Sequence, residues 1–84
     1  MHYVYIIKSE RDGELYVGST NNLRRRLAEH NAGVVESTAR RRPFALRYYE
    51  AYHCEKDARV REMRLKKDGR ALYVLKKRIA TSLQ

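Results

Sequence analysis

The stretch HYVYIIKSERDGELYVGS, residues 2–19, constrains the fold more than any other part of this chain. Two runs of β-branched and aromatic residues flank Asp12-Gly13, a pair suited to a hairpin turn because glycine accepts a positive φ. The runs 2–8 and 15–19 are therefore predicted to pair as antiparallel strands. In the first run both alternating faces are apolar or aromatic, as in a central strand covered on two sides. A chain of 84 residues builds one small core, so that strand is expected to sit in its middle.

The remaining sequence supplies the cover. A helix opens at Thr20, Asn21 or Asn22 as N-cap and carries Leu23 and Leu27 one turn apart. Asn31-Ala32-Gly33 closes it, glycine suiting the left-handed cap position. VVESTARRRP is a basic loop, and residues 44–53, FALRYYEAYH, form a third strand whose pairing order the sequence does not give. A second helix spans 55–69 and stops near Asp68-Gly69. RALYVLKKRIATSL forms a shorter final helix. No repeat or linker divides the chain, so residues 1–84 are read as one domain. The order ββαβαα predicts an α+β fold, a small three-stranded antiparallel sheet flanked by helices.

Charge points to a partner class. Nineteen Lys and Arg against ten Asp and Glu give +9. That excess suits a polyanion, most simply nucleic acid, through release of condensed counterions. A basic surface kept for solubility, or docking on an acidic protein, is the plainer alternative. Seven tyrosines suit base stacking as well as half-buried strands. The single cysteine, Cys54, has no intramolecular disulfide partner, which fits a reducing compartment. With no apolar run of membrane-spanning length and no signal-peptide pattern, a cytoplasmic location without membrane contact is expected.

Several residues sit where packing alone would not put them. At 100° per residue Leu23, Arg26, Leu27 and His30 share one side of the first helix, while Arg24 and Arg25 face solvent. Taken singly, Arg26 would snorkel past the core and His30 would bond a backbone carbonyl. In the second helix Ala58, Arg61, Glu62 and Leu65 share a face, placing a carboxylate on an otherwise core-facing stripe. The plain reading is an ion pair with Arg61 or Arg26. Tyr16 and Gly18 point to one sheet face, and Tyr5 can bring a second hydroxyl there. The plain reading here is a bulge and packed tyrosines. Zinc-type Cys/His clusters, phosphate-binding glycine loops, paired acids and nucleophile elbows are absent. Tyrosine, arginine, histidine and one carboxylate remain, a set that suits phosphodiester cleavage.

Tyr3-Val4-Tyr5, Tyr16-Val17-Gly18, Arg26, His30 and Glu62, in that order, resemble the GIY-YIG nuclease domain. The likeness spans nearly the whole chain and is strongest to small stand-alone bacterial members of UPF0213-like type. It implies Tyr5, Tyr16, Arg26 and His30 as catalytic residues, and Gly18 as the motif glycine and a nucleic-acid-binding position that leaves space for a phosphate. Arg26 would meet the charge on the scissile phosphate. Glu62 would be the one protein ligand of Mg²⁺ or Mn²⁺. Ser19 stands where some relatives carry lysine, and the last third lacks an asparagine that some nucleases use. Arg24, Arg25, Arg40, Arg41 and Arg42 are expected to bind flanking phosphates without reading sequence. The implied activity is metal-dependent, structure-selective cleavage of DNA, with a link to DNA repair. Its rivals are a non-catalytic DNA- or RNA-binding module and a nuclease subunit that needs a protein partner.

Overall fold

The computed structural model describes residues 1–84. Strands β1 (His2–Ser9) and β2 (Leu15–Thr20) are followed by helix α1 (Leu23–Ala32), strand β3 (Phe44–Tyr52), and helices α2 (Glu55–Lys67) and α3 (Gly69–Arg78). Short 3₁₀ turns occupy Ala39–Arg41 and Thr81–Leu83. All pairings are antiparallel and the sheet order is β2-β1-β3. The predicted α+β architecture and its central first strand are both observed.

β1 is covered on both faces. Val4 and Ile6 join Val17, Ala58, Leu65 and Leu75 under α2 and α3, while Tyr5 and Ile7 join Phe44 on the other face. There α1 adds Leu23 and Leu27. Burying two apolar faces of one strand is how so short a chain gathers a core. No helix is long and apolar enough to cross a membrane.

The junctions follow local chemistry. Gly13 takes φ +75° in the hairpin turn, where a side chain would be strained. Ser9 Oγ accepts from the amides of Arg11 and Asp12 at 3.1 Å, fixing that turn. Among the three N-cap candidates Asn22 serves, accepting from the Arg25 amide at 3.0 Å. Asn31 does more than close α1: its amide clasps the Phe44 backbone in both directions, donating at 3.1 Å and accepting at 2.6 Å. Asp68 both ends α2 and caps α3, so the two helices meet at a sharp corner. Arg47 is the extra residue where the β1–β3 register shifts.

Candidate active site

Tyr5 and Gly18 are directly opposed across β1 and β2, and Tyr16 is opposed to Ile7 one row away. All three face α1, as the alternation predicts. A Cβ at Gly18 would overlap the Tyr5 hydroxyl. The space above the glycine is thus filled by the tyrosine and is not open to a phosphate as the sequence suggested, and no bulge lies in this pairing.

His30, fully buried, reaches down from α1 onto these rings. Its Nε2 lies 2.8 Å from the Tyr5 hydroxyl and its Nδ1 lies 2.8 Å from Thr38 Oγ1. The Tyr16 ring meets it edge-on at 5.1 Å and Phe44 at 5.9 Å. Its partners are thus two side chains, and not the backbone carbonyl of the plain sequence reading. The Thr38 hydroxyl donates to the Val35 carbonyl at 3.4 Å, so its oxygen accepts from Nδ1–H. That leaves Nε2 bare to accept from Tyr5. Burial, then the Arg26 charge, hold His30 below the usual imidazole range, with Glu29 opposing. The ring is neutral at pH 7. Burial likewise pushes the Tyr5 phenol up to about 12, against the pull of adjacent Arg26.

Arg26 is half-exposed and pairs with Glu29 at 3.0 Å. Arg24 and Arg25 face solvent as expected. Glu62 approaches from the opposite sheet face, wrapping round the β2 edge. Its Oε1 accepts from Ser19 at 2.6 Å and its Oε2 pairs with Lys66 at 2.8 Å. Burial alone would raise this carboxyl, but Lys66 and Ser19 outweigh it and hold it ionised. Neither Arg61 nor Arg26 is its partner. Although adjacent in sequence, Arg61 leaves α2 on the other flank to grip Glu50. Lys66 also stands over the Tyr16 ring at 5.5 Å, linking the carboxylate to the tyrosine pair.

The predicted arginine run divides. Arg41 is tied to Asp12 at 3.0 Å and to the Leu15 carbonyl, and Arg42 donates to the Ala39 carbonyl at 3.1 Å. Arg40 alone of the three has no such tie and is exposed. Three residues of the site escaped the sequence reading. Thr38 lies in an irregular loop, where no periodicity marks it. Ser19 was read only as a departure from lysine, yet it supports Glu62. Lys66 carried a usable signal, being i,i+4 from Glu62 on a helix.

The donor set also bears on a metal. No three His, Cys, Asp or Glu side chains cluster, which does not suit zinc. One ionised carboxylate with a flexible, half-exposed lysine on its outer oxygen fits a hard cation that keeps most of its water.

Residues 1–78 match the GIY-YIG catalytic domain. The chain belongs to the GIY-YIG family. It is 43% identical over 72 residues to a UPF0213 protein of Halobacterium salinarum, covering 84% of this chain and 92% of that protein. A UPF0213 protein of Bacillus pumilus is 39% identical over 82 residues, covering 93% and 83%. One from Staphylococcus haemolyticus is 44% identical over 66 residues, covering 77% and 79%. No solved structure gives a significant match. GIY-YIG is a family of nuclease type, and a nucleic-acid substrate follows from membership.

Proposed function

We propose that this GIY-YIG domain is a divalent-metal-dependent endonuclease that hydrolyses DNA phosphodiester bonds and selects structure over sequence. The observation that carries the reading is the meeting of Tyr16, Lys66 and Glu62 at the β2 edge, backed by the buried Tyr5–His30–Thr38 chain. Glu62 would hold Mg²⁺ or Mn²⁺, which when bound supplies positive charge to the phosphate and a more acidic water.

Arg26 sits beside Tyr5 with 35% of its side chain in solvent, placed to meet the charge that develops on a phosphate oxygen. Breaking its pair with Glu29 costs little at this exposure. The buried tyrosine and the half-buried one divide the work. Tyr5, with its phenol pushed up to about 12 and its hydroxyl donating to His30 Nε2, is the positioned member. It orients a water or phosphate oxygen while the neutral imidazole takes up a proton passed through it. Tyr16, half-buried under the Lys66 ammonium, is the member that touches the attacking water. Lys66 stands between this ring and the carboxylate, and Ser19 keeps the carboxylate in place.

The test incubates wild type and Glu62→Gln with labelled duplex, single-stranded, flap and four-way-junction DNA, and with RNA, under Mg²⁺, Mn²⁺ or EDTA. Metal-dependent DNA cutting is expected from wild type, falling roughly 10³-fold in the variant while binding persists. Cutting that survives Glu62→Gln, or binding without cutting under every metal, overturns the reading.

A further inference from the structure

Beyond the β2 edge, the largest unexplained charge lies on the far flank of α2. Ten of the nineteen Lys and Arg residues, but four of the ten acids, lie from Glu55 onward. Arg61, Arg64, Arg70 and Arg78 line a groove of about 350 Å³ between α2 and α3, with Asp68 and Val74. Arg61 is committed to Glu50. Arg64, Arg70 and Arg78 are exposed and form no ion pair.

Helix dipoles explain part of this. Arg64 and Arg78 stand in C-terminal turns, where cations are favoured. Arg70 stands in the first turn of α3, which has no acid, and there a cation is disfavoured. It nevertheless shares the groove with two other unpaired guanidiniums. An anion in the groove would relieve both the mutual repulsion and the misplaced charge, and guanidinium forks match phosphate oxygens in pairs.

We propose that this groove binds the sugar–phosphate backbone of a second DNA arm while the first lies at the Glu62 edge. The proposal rests on reading that edge as a DNA site. Arg61 reaches β3 and Glu62 reaches β2, the two edges of the sheet, with β1 between them. The two surfaces lie on opposite flanks of α2, and on this proposal a straight duplex held on one leaves the other empty. Two arms diverging from a branch fill both. The Cα atoms span 28 × 25 × 21 Å, so each arm is held within roughly eight base pairs of the branch at about 3.4 Å per step.

The experiment measures binding in EDTA, where cleavage plays no part, by fluorescence anisotropy across a salt series. Wild type and the Arg64→Ala/Arg70→Ala/Arg78→Ala variant are titrated with a four-way junction and with a linear duplex. The variant is expected to lose at least tenfold in junction affinity and about 2–3 in salt slope, with duplex affinity held within about twofold. The corresponding triple lysine variant restores the slope. If the triple alanine variant folds poorly, Arg70→Gln alone decides, with an expected drop of about one in the junction slope. Equal losses on junction and duplex, or loss on neither, overturn the proposal. A protein that binds junctions through this groove yet cuts nothing sinks the nuclease reading and leaves the groove standing.

Discussion

Glu50 and Glu62 make an instructive pair. Their side chains are equally withdrawn from solvent, at 16% and 19% exposure, and each lies between α2 and one edge of the same sheet. Each meets a cation and a hydroxyl. Glu50 receives an Arg61 fork at 3.0 Å on both oxygens, the Tyr48 hydroxyl at 2.6 Å and the Tyr52 hydroxyl. A carboxylate has about four acceptor sites, and Glu50 has filled them. Burial and this bonding push both phenols up to about 12, so they stay neutral donors. Glu62 has one serine and one mobile lysine. Burial does not separate the carboxylate that serves the fold from the one proposed to hold a metal. Spare acceptor capacity does.

Exchanging the glutamates for glutamine breaks the comparison most sharply. Glu62→Gln should abolish cleavage as above while shifting the melting temperature by only a few degrees, because its partners are a half-exposed lysine and a serine. Glu50→Gln should do the reverse. It leaves Arg61 half-buried beside a neutral amide, at about 2–3 kcal/mol, or roughly 10–20 °C for a domain of this size. Activity per folded molecule should be retained. A melting curve and a cleavage rate on each variant decide, and a stable, inactive Glu50→Gln would reverse the assignments.

The second contrast sets the satisfied Tyr5–His30–Thr38 chain against the open Tyr16. Thr38→Val removes the acceptor of His30 Nδ1–H in a fully buried place, costing about 1–3 kcal/mol. It also frees the ring proton to move to Nε2, which would then stop accepting from Tyr5. Thr38→Ser keeps the oxygen and should keep the tautomer. Nitrogen chemical shifts of His30 in the two variants check this, and unchanged shifts in Thr38→Val would refute the relay.

How far the sequence carried this picture depends on distance along the chain. The hairpin, the Gly33 cap that closes α1 and the shared face of Tyr5, Tyr16 and Gly18 are local, set by alternation and turn chemistry, and all were legible. The register of β3 was not, because the two apolar faces of β1 point to a central strand but do not say where along it Phe44–Tyr52 pairs or that Arg47 is skipped. Nor was the separation of Arg61 from Glu62. Helical periodicity puts both near the core-facing line of Ala58 and Leu65, and only the packed sheet shows that they leave on opposite flanks. Thr38 and the Asn31 clasp depend on how a loop without periodicity folds back. The arginine run illustrates the same limit, since Arg41 is bound to Asp12, which lies 29 positions earlier.

The smallest expected effect concerns pH. His30 is held below its ordinary value near 6.5, so the unfolded chain takes up this proton before the folded one does. Its contribution to stability is complete above about pH 6.5 and is lost progressively as pH falls below that, with a slope of at most about 1.4 kcal/mol per pH unit. Glu62 and Glu50, also held below their ordinary range, contribute in the same direction but only through the carboxylate window further down. The interval from pH 6.5 to 5 therefore isolates the histidine. Urea midpoints should decline across it for wild type and stay nearly level for His30→Gln, whose amide does not titrate. Parallel slopes in the two proteins would mean that His30 is not the group being charged, and would remove the ground for treating its ring as the neutral acceptor of the Tyr5 proton.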